Sequence, residues 1–270
     1  MDRIDFRSAD NTPLVAWRWP ARGEVKGRVL LLHGVGEHIR RYDYAAGRLS
    51  SAGYTVVGLN LRGHGESGGK RGHLHHWKDY LEDVDAAARV TGGDFHLLGH
   101  SMGTLVALDW LRKNPISVQS VILSAPLLGI AFPIPWWKKM GAELLSKILP
   151  ALPMDNELDS AEICSDKDVV AKYLQDPNCF HTVTPRLYTE MMQSIENVHA
   201  ENSQTWRWPL QIHAGRFDGL ISFGDIDRFY AAWPRRKEYV VWPEGRHESM
   251  NEPFRDQVLD SMISFLNSSK

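Results

Sequence analysis

Cysteine is scarce: 270 residues carry two thiols, Cys164 and Cys179. Two cysteines make no disulfide framework, and their spacing suits no zinc motif, so both are expected to be free. Net charge is scarce as well. Lys and Arg number 31 against 33 Asp and Glu, which leaves no basic surface of the kind a nucleic acid requires. No window approaches the roughly 18 apolar residues of a membrane-crossing helix, and Met1–Arg7 lacks the apolar stretch of a secretion signal. Repeats and low-complexity tracts are missing too. These absences leave the expectation of a soluble, cytoplasmic protein. Hydrophobic residues are plentiful at 43%, ten tryptophans among them, which is enough for a sizeable core.

The order of patterns sets the fold class. Two alternating stretches, Arg3–Arg7 and Leu14–Trp19, flank a turn-rich segment and read as a hairpin. Apolar runs of the buried-strand type follow at Val29–Leu32, Thr55–Leu59, Phe95–Leu98, Val118–Leu123, Leu210–His213 and Tyr239–Trp242. Helical patterns lie between or after them at Tyr42–Ser51, His76–Val90, Thr104–Lys113, Asp225–Trp233 and Phe254–Leu266. The third of these is expected to stop at Asn114-Pro115. Strands alternating with helices predict an α/β fold with a mostly parallel sheet of about eight strands, helices covering both faces. Between Ala125 and about Trp208 the alternation breaks. Prolines crowd this stretch, strong strand signals are missing, and helical patterns appear at Trp136–Leu149, Val169–Gln175 and Pro185–Val198. The expected organisation is a core of residues 1–125 and 209–270 with a mainly helical cap, 126–208, inserted at the ligand-binding edge of the sheet.

Within this frame Gly99-His100-Ser101-Met102-Gly103 is the most informative segment. It matches G-x-S-x-G, with a strand pattern before it and a helix pattern after it. A serine on that tight turn is pushed out of the backbone path to a helix N-terminus, where free N–H groups favour a developing oxyanion. Side chains in place of the flanking glycines would collide with the neighbouring strand or helix. A serine hydroxyl needs a base, and the base needs an orienting acid. His247 lies past the last predicted strand and before the final helix, where a loop returns an imidazole to the strand ends. Asp218 follows the penultimate strand and a glycine turn. Asp225 and Asp227 read instead as acids near the start of the next helix, and Glu248 as a surface or loop-anchoring group. For the oxyanion, the expected donors are the N–H groups of Met102 and Val35, the latter in His33-Gly-Val-Gly-Glu-His38. His33, Glu37 and His38 superficially resemble a metal cluster, but the expectation is that they hold this loop in shape. Asn60–Gly69 lacks the Gly-Lys-Ser/Thr ending of a phosphate loop and reads as structural.

Assembled, these residues resemble the monoacylglycerol lipase and lysophospholipase branch of the α/β-hydrolases over nearly the whole length. The resemblance is carried by His33–His38 with Arg41-Tyr42, Arg62-Gly-His-Gly-Glu-Ser67, Gly99–Gly103 and Gly245–Pro253, and in the cap by Ser165-Asp166 and Tyr173–Pro177. It implies a serine hydrolase without metal or cofactor, acting on esters of one acyl chain, with Ser101, Asp218 and His247 as triad. Asn60 departs from the aspartate usual in relatives, a difference expected to be structural. The cap resembles the family less closely, and the cap sets acyl-chain and head-group preference. Lysophospholipase, general carboxylesterase and thioesterase activity therefore stay open beside monoacylglycerol hydrolysis. A hydrolase scaffold retired to ligand binding is the reading from another class, and the intact Ser–Asp–His set speaks against it.

On a helix after Pro135, the residues Trp137, Met140, Leu144, Leu145 and Ile148 are expected to share one face, with Lys139, Glu143 and Ser146 turned elsewhere. That face is expected to roof the acyl pocket, with peripheral membrane contact through the same residues as the other reading. Gly34, Trp136 and Trp137 are the expected substrate-binding positions.

Overall fold

The computed structural model describes residues 1–113, 115 and 117–269. Asn114, half of the expected helix stop, lies outside them. The strands are β1 (Asp2–Arg7), β2 (Pro13–Trp19), β3 (Gly27–Leu32), β4 (Tyr54–Asn60), β5 (Phe95–His100), β6 (Val118–Ser124), the two-residue β7 (Met154–Asp155) and β8 (Thr182–Val183), β9 (Leu210–Gly215) and β10 (Lys237–Trp242). The helices are α1 (Asp43–Ser51), α2 (Lys78–Thr91), α3 (Met102–Leu111), α4 (Trp136–Ile148), α5 (Lys167–Gln175), α6 (Pro185–Ala200), α7 (Phe223–Ala232) and α8 (Arg255–Ser268).

Eight strands form one sheet in the order β1-β2-β4-β3-β5-β6-β9-β10. Strands β4, β3, β5, β6, β9 and β10 run parallel, and the β1–β2 hairpin adds antiparallel to β4. Burial of both faces explains the unbroken apolar runs. In β3, Leu30 and Leu32 pack into one core layer with α2, α3 and α7, while Val29 and Leu31 pack into the other with α1 and α8. Alternate side chains of a strand point to opposite faces, so a continuous apolar run serves both layers.

The stretch between β6 and β9 contributes no strand to this sheet; its β7 and β8 pair only with each other. Helices α4, α5 and α6 account for most of its regular structure. Because β3, β5, β9 and β10 are parallel, the loops that follow them emerge along one edge, where ligands of open α/β sheets bind. No helix among the described residues is long and apolar enough to cross a membrane.

Candidate active site

At the end of β5 the chain reverses into α3 through Ser101, whose φ of 50° and ψ of −122° lie where side chains are rarely found. The turn is possible because its neighbours are glycines. A Cβ on Gly99 would stand 2.8 Å from Thr104 Cα of α3, and one on Gly103 would stand 2.4 Å from the Leu32 carbonyl oxygen of β3. Three hydrogen bonds hold the strained residue: its N–H donates to the Ser124 carbonyl at 3.0 Å, and its carbonyl accepts the Thr104 N–H at 2.9 Å and the Thr104 hydroxyl at 2.6 Å. Among the described residues the Ser101 hydroxyl has no hydrogen-bond partner. It opens onto a cavity of about 500 Å³ that Val35 and His247 also line.

His247 is buried after β10 and lines the cavity, and its Nδ1–H donates to Asp218 Oδ2 at 2.8 Å, which leaves Nε2 uncommitted to that bond. Burial opposes charge on this imidazole, but the charge and hydrogen bond of Asp218, then Glu248 and Glu37, outweigh it and raise its pKa above the ordinary value. Burial likewise opposes ionisation of Asp218. The His247 contact and the backbone N–H groups of Leu220 and Ile221 overcome it, and the carboxyl sits below its usual range. The Leu220 N–H donates to Asp218 Oδ1 at 2.9 Å, so the carboxylate is fixed at both oxygens. An ionised acid that holds the Nδ1–H tautomer leaves Nε2 free to take a proton.

The loop after β3 is shaped by its own polar side chains. His33 Nδ1–H donates to the Gly34 carbonyl at 2.7 Å, and its Nε2 accepts the Leu61 N–H at 3.1 Å. Burial keeps this imidazole neutral, its pKa depressed to about 4, as both bonds require. Glu37 accepts from the Gly34 N–H at 2.6 Å and the Tyr42 hydroxyl at 2.7 Å. Arg41 then bridges two carboxylates, donating to Glu37 at 2.6 Å and to both oxygens of Glu248 at 2.6 and 2.7 Å. The loop that bears Val35 and the loop that bears His247 thus share one buried guanidinium.

Sequence reasoning missed this bridge. Glu248 anchors its loop, as one of its two readings had it, but its partner lies 207 residues away, beyond the reach of local pattern. The insertion braces the same loop: the His247 N–H donates to the Glu162 carbonyl at 3.3 Å and the Glu248 N–H to the Ile163 carbonyl at 2.8 Å.

Two of the expected substrate-binding positions lie off the wall of this cavity. Gly34 lies beneath the Ser101 turn, where a Cβ would stand 3.1 Å from Ser101 Cβ, and its N–H is already spent on Glu37. Trp136 is 72% exposed and lies off the cavity wall; Trp137 does line it. The single expected face of α4 is divided as well. Trp137 and Leu145 line the cavity, whereas Met140, Leu144 and Ile148 point to solvent, each about 60% exposed. Ser146, expected to turn away, is buried against Thr189 of α6 at 3.0 Å. The helix is anchored through its small residues, and its largest apolar side chains are left outside.

The model of one protein family, described as serine aminopeptidase, S33, matches residues 23–254. The chain belongs to this family. Its fold is that of the α/β-hydrolases, and its similar proteins include ones named monoacylglycerol lipase and phospholipase. Phospholipase YtpA of Bacillus subtilis is 29% identical over 255 residues, 92% of this chain and 98% of its own length. A monoacylglycerol lipase of Mycolicibacterium smegmatis is 30% identical over 257 residues, 92% of this chain and 90% of its own. Among solved structures, the monoacylglycerol lipase of Paleococcus ferrophilus superimposes with a TM-score of 0.88 at 25% identity, over 95% of this chain and 99% of that one. The hydrolase therefore has relatives named for two different lipid substrates at nearly equal identity.

Proposed function

We propose that this hydrolase cleaves single-acyl-chain lipid esters, monoacylglycerols foremost, through an acyl-enzyme on Ser101. The observation that supports this most is the wall of the cavity onto which Ser101 and His247 open. Leu127, Ile130, Phe132, Ile134, Leu145 and Met191 contribute to it, an apolar surface suited to an alkyl chain, in the size range of small-molecule sites. Asp155, Asn156 and Glu157 on the same wall supply polar groups for a hydroxylated head. Segment 126–208 acts as a cap, since α4, the β7 region and α6 provide most of this lining.

In the reaction the Ser101 hydroxyl turns to His247 Nε2, a contact that commonly tightens only when substrate is bound. His247 takes the proton as Oγ attacks the ester carbonyl. The tetrahedral oxyanion is held by the Met102 N–H, at the start of α3 where the helix offers it no internal partner, and by the Val35 N–H. Collapse breaks the ester C–O bond, and the imidazolium gives its proton to the departing glycerol oxygen. Water, deprotonated by the same imidazole, then releases the fatty acid and regenerates Ser101. Losing one oxyanion donor costs about 3–4 kcal/mol of barrier in comparable sites.

The exposed Trp136, Met140, Leu144 and Ile148, beside Lys139 and Lys147, form an apolar stripe flanked by cations, as helices that lie on a lipid surface do. Peripheral contact there brings the cavity mouth to an amphiphilic substrate. A substrate panel tests the assignment: monoacylglycerols of graded chain length against lysophosphatidylcholine and an acyl thioester. The highest kcat/KM is expected on a monoacylglycerol. A lysophospholipid preferred tenfold or more would move the assignment to the alternative that the Bacillus relative favours.

A further inference from the structure

We infer that His38, Asp176 and Cys179 form a binding site for one Zn²⁺ ion, which clamps the segment after α5 onto the loop that bears Val35. The donor atoms of the three side chains all lie within 4.8 Å of one another. Nitrogen, oxygen and sulfur of these residue types are the usual zinc donors, and a water completes four-coordination. Such donors sit at about 2.0–2.3 Å from the metal. Binding therefore needs the His38 Nε2–Asp176 Oδ2 hydrogen bond, now 2.8 Å, to open slightly and the thiol to close in.

The surroundings are prepared for this. His38 is buried, and its ring is held by the contact of Nε2 with Asp176 Oδ2. Asp176 Oδ1 accepts the Asn178 N–H at 2.8 Å, and its carbonyl accepts the Cys179 N–H at 3.0 Å, a turn that carries the thiol back over the carboxylate. His38 and Asp176 also line a second cavity, of about 630 Å³, which offers an entry path. Nearby Arg41 opposes a cation, but Glu37 and Glu248 already neutralise it. The ion displaces the Cys179 sulfur proton to solvent as the Zn–S bond forms. With one thiolate and one carboxylate the bound site is neutral.

The consequence is mechanical. The Phe180 N–H donates to the Gly36 carbonyl at 2.9 Å, so residues 176–180 already rest on the loop between Val35 and His38. A metal across that seam fixes insertion and loop together. The site is distant in role from Ser101 chemistry and stands whether or not the proposed substrate is right.

The test is titration of chelator-treated, reduced protein with Co²⁺, followed by displacement with Zn²⁺. Wild type and Cys164→Ser are expected to show a thiolate-to-cobalt charge-transfer band at one equivalent, and Cys179→Ser to lack it. Zn²⁺ affinity is expected to fall at least about tenfold in Cys179→Ser and Asp176→Asn, since even outer-shell changes cost that much. Zn²⁺ should raise the Tm of wild type and not of Cys179→Ser. Circular dichroism and short-ester hydrolysis verify that the Cys179→Ser protein is folded. No band in wild type, or a band and affinity unchanged in folded Cys179→Ser, overturns the site.

Discussion

The strand-end loops and helix α4 are built by opposite rules. Around Ser101 and His247 nearly every polar group is buried and matched: His33, Glu37, Arg41, Asp218 and Glu248 each have two or more hydrogen-bond contacts that fix a loop. In α4 Ala142 and Ser146 are the buried positions, and Trp136, Met140, Leu144 and Ile148 are left in water. For the proposed reaction, the first arrangement would hold donors and base within the narrow tolerance that transition-state stabilisation requires. The second keeps a surface whose apolar groups gain only when something else covers them. On the proposed function, chemistry and substrate delivery fall to parts of the molecule with different physical demands.

Substitutions on the two sides should separate cleanly, and the effects should descend in order. Ser101→Ala is expected to lower kcat on the order of 10⁵–10⁶-fold with an unchanged Tm, measured on a soluble short-chain ester; residual turnover within a hundredfold of wild type would break the contrast. Asp218→Asn should cost about 10⁴-fold in kcat through loss of the correct tautomer. It should also displace the acid limb of the kcat/KM profile. His247 must be neutral to accept a proton, so activity falls as pH drops through its folded-state pKa, which Asp218 raises. Removing that anion moves the limb to lower pH, and a limb that stays put would show that another group sets it.

Arg41→Ala leaves Glu37 and Glu248 buried without their cation. A loss of about 3–5 kcal/mol is expected in denaturant unfolding, with Arg41→Lys recovering only part of it because the lysine cannot bridge both carboxylates bidentately. Smallest on chemistry should be the paired substitution of Trp136 and Met140 by serine: liposome flotation falls several-fold, while kcat/KM on a soluble ester stays within about twofold, as surface changes usually do. Trp137→Ser sharpens the comparison, because a side chain that both lines the cavity and is exposed should lower flotation and raise KM together.

Much of this organisation was legible in the residues. The strands of the sheet and the helices flanking it fall where the residues put them: the β1–β2 hairpin from its alternation, the central strands from apolar runs that burial on both faces requires, and the helices from their periods. The turn at Ser101 was legible for a steric reason, the two glycines that Thr104 and Leu32 demand. Asp218 and His247 followed from their places after successive strands, and the structure brings them to 2.8 Å. What local pattern could not show was partnership across distance. The Arg41–Glu248 bridge spans 207 residues and the His38–Asp176 contact spans 138. The spacing of Cys164 and Cys179 suggests no metal motif because Cys179 gathers with nearby Asp176 and with His38 of a distant segment, not with Cys164. The division of α4 escaped for a related reason: periodicity identifies an apolar side, but not how much of it a neighbour covers.

The most direct test of the proposed chemistry is labelling of folded protein with a fluorophosphonate probe, followed by peptide mass mapping. The expected result is one adduct on Ser101, abolished in Ser101→Ala and strongly slowed when His247 is replaced by alanine. Folded wild-type protein that remains unlabelled at Ser101, or that is labelled equally well without the imidazole, would contradict it.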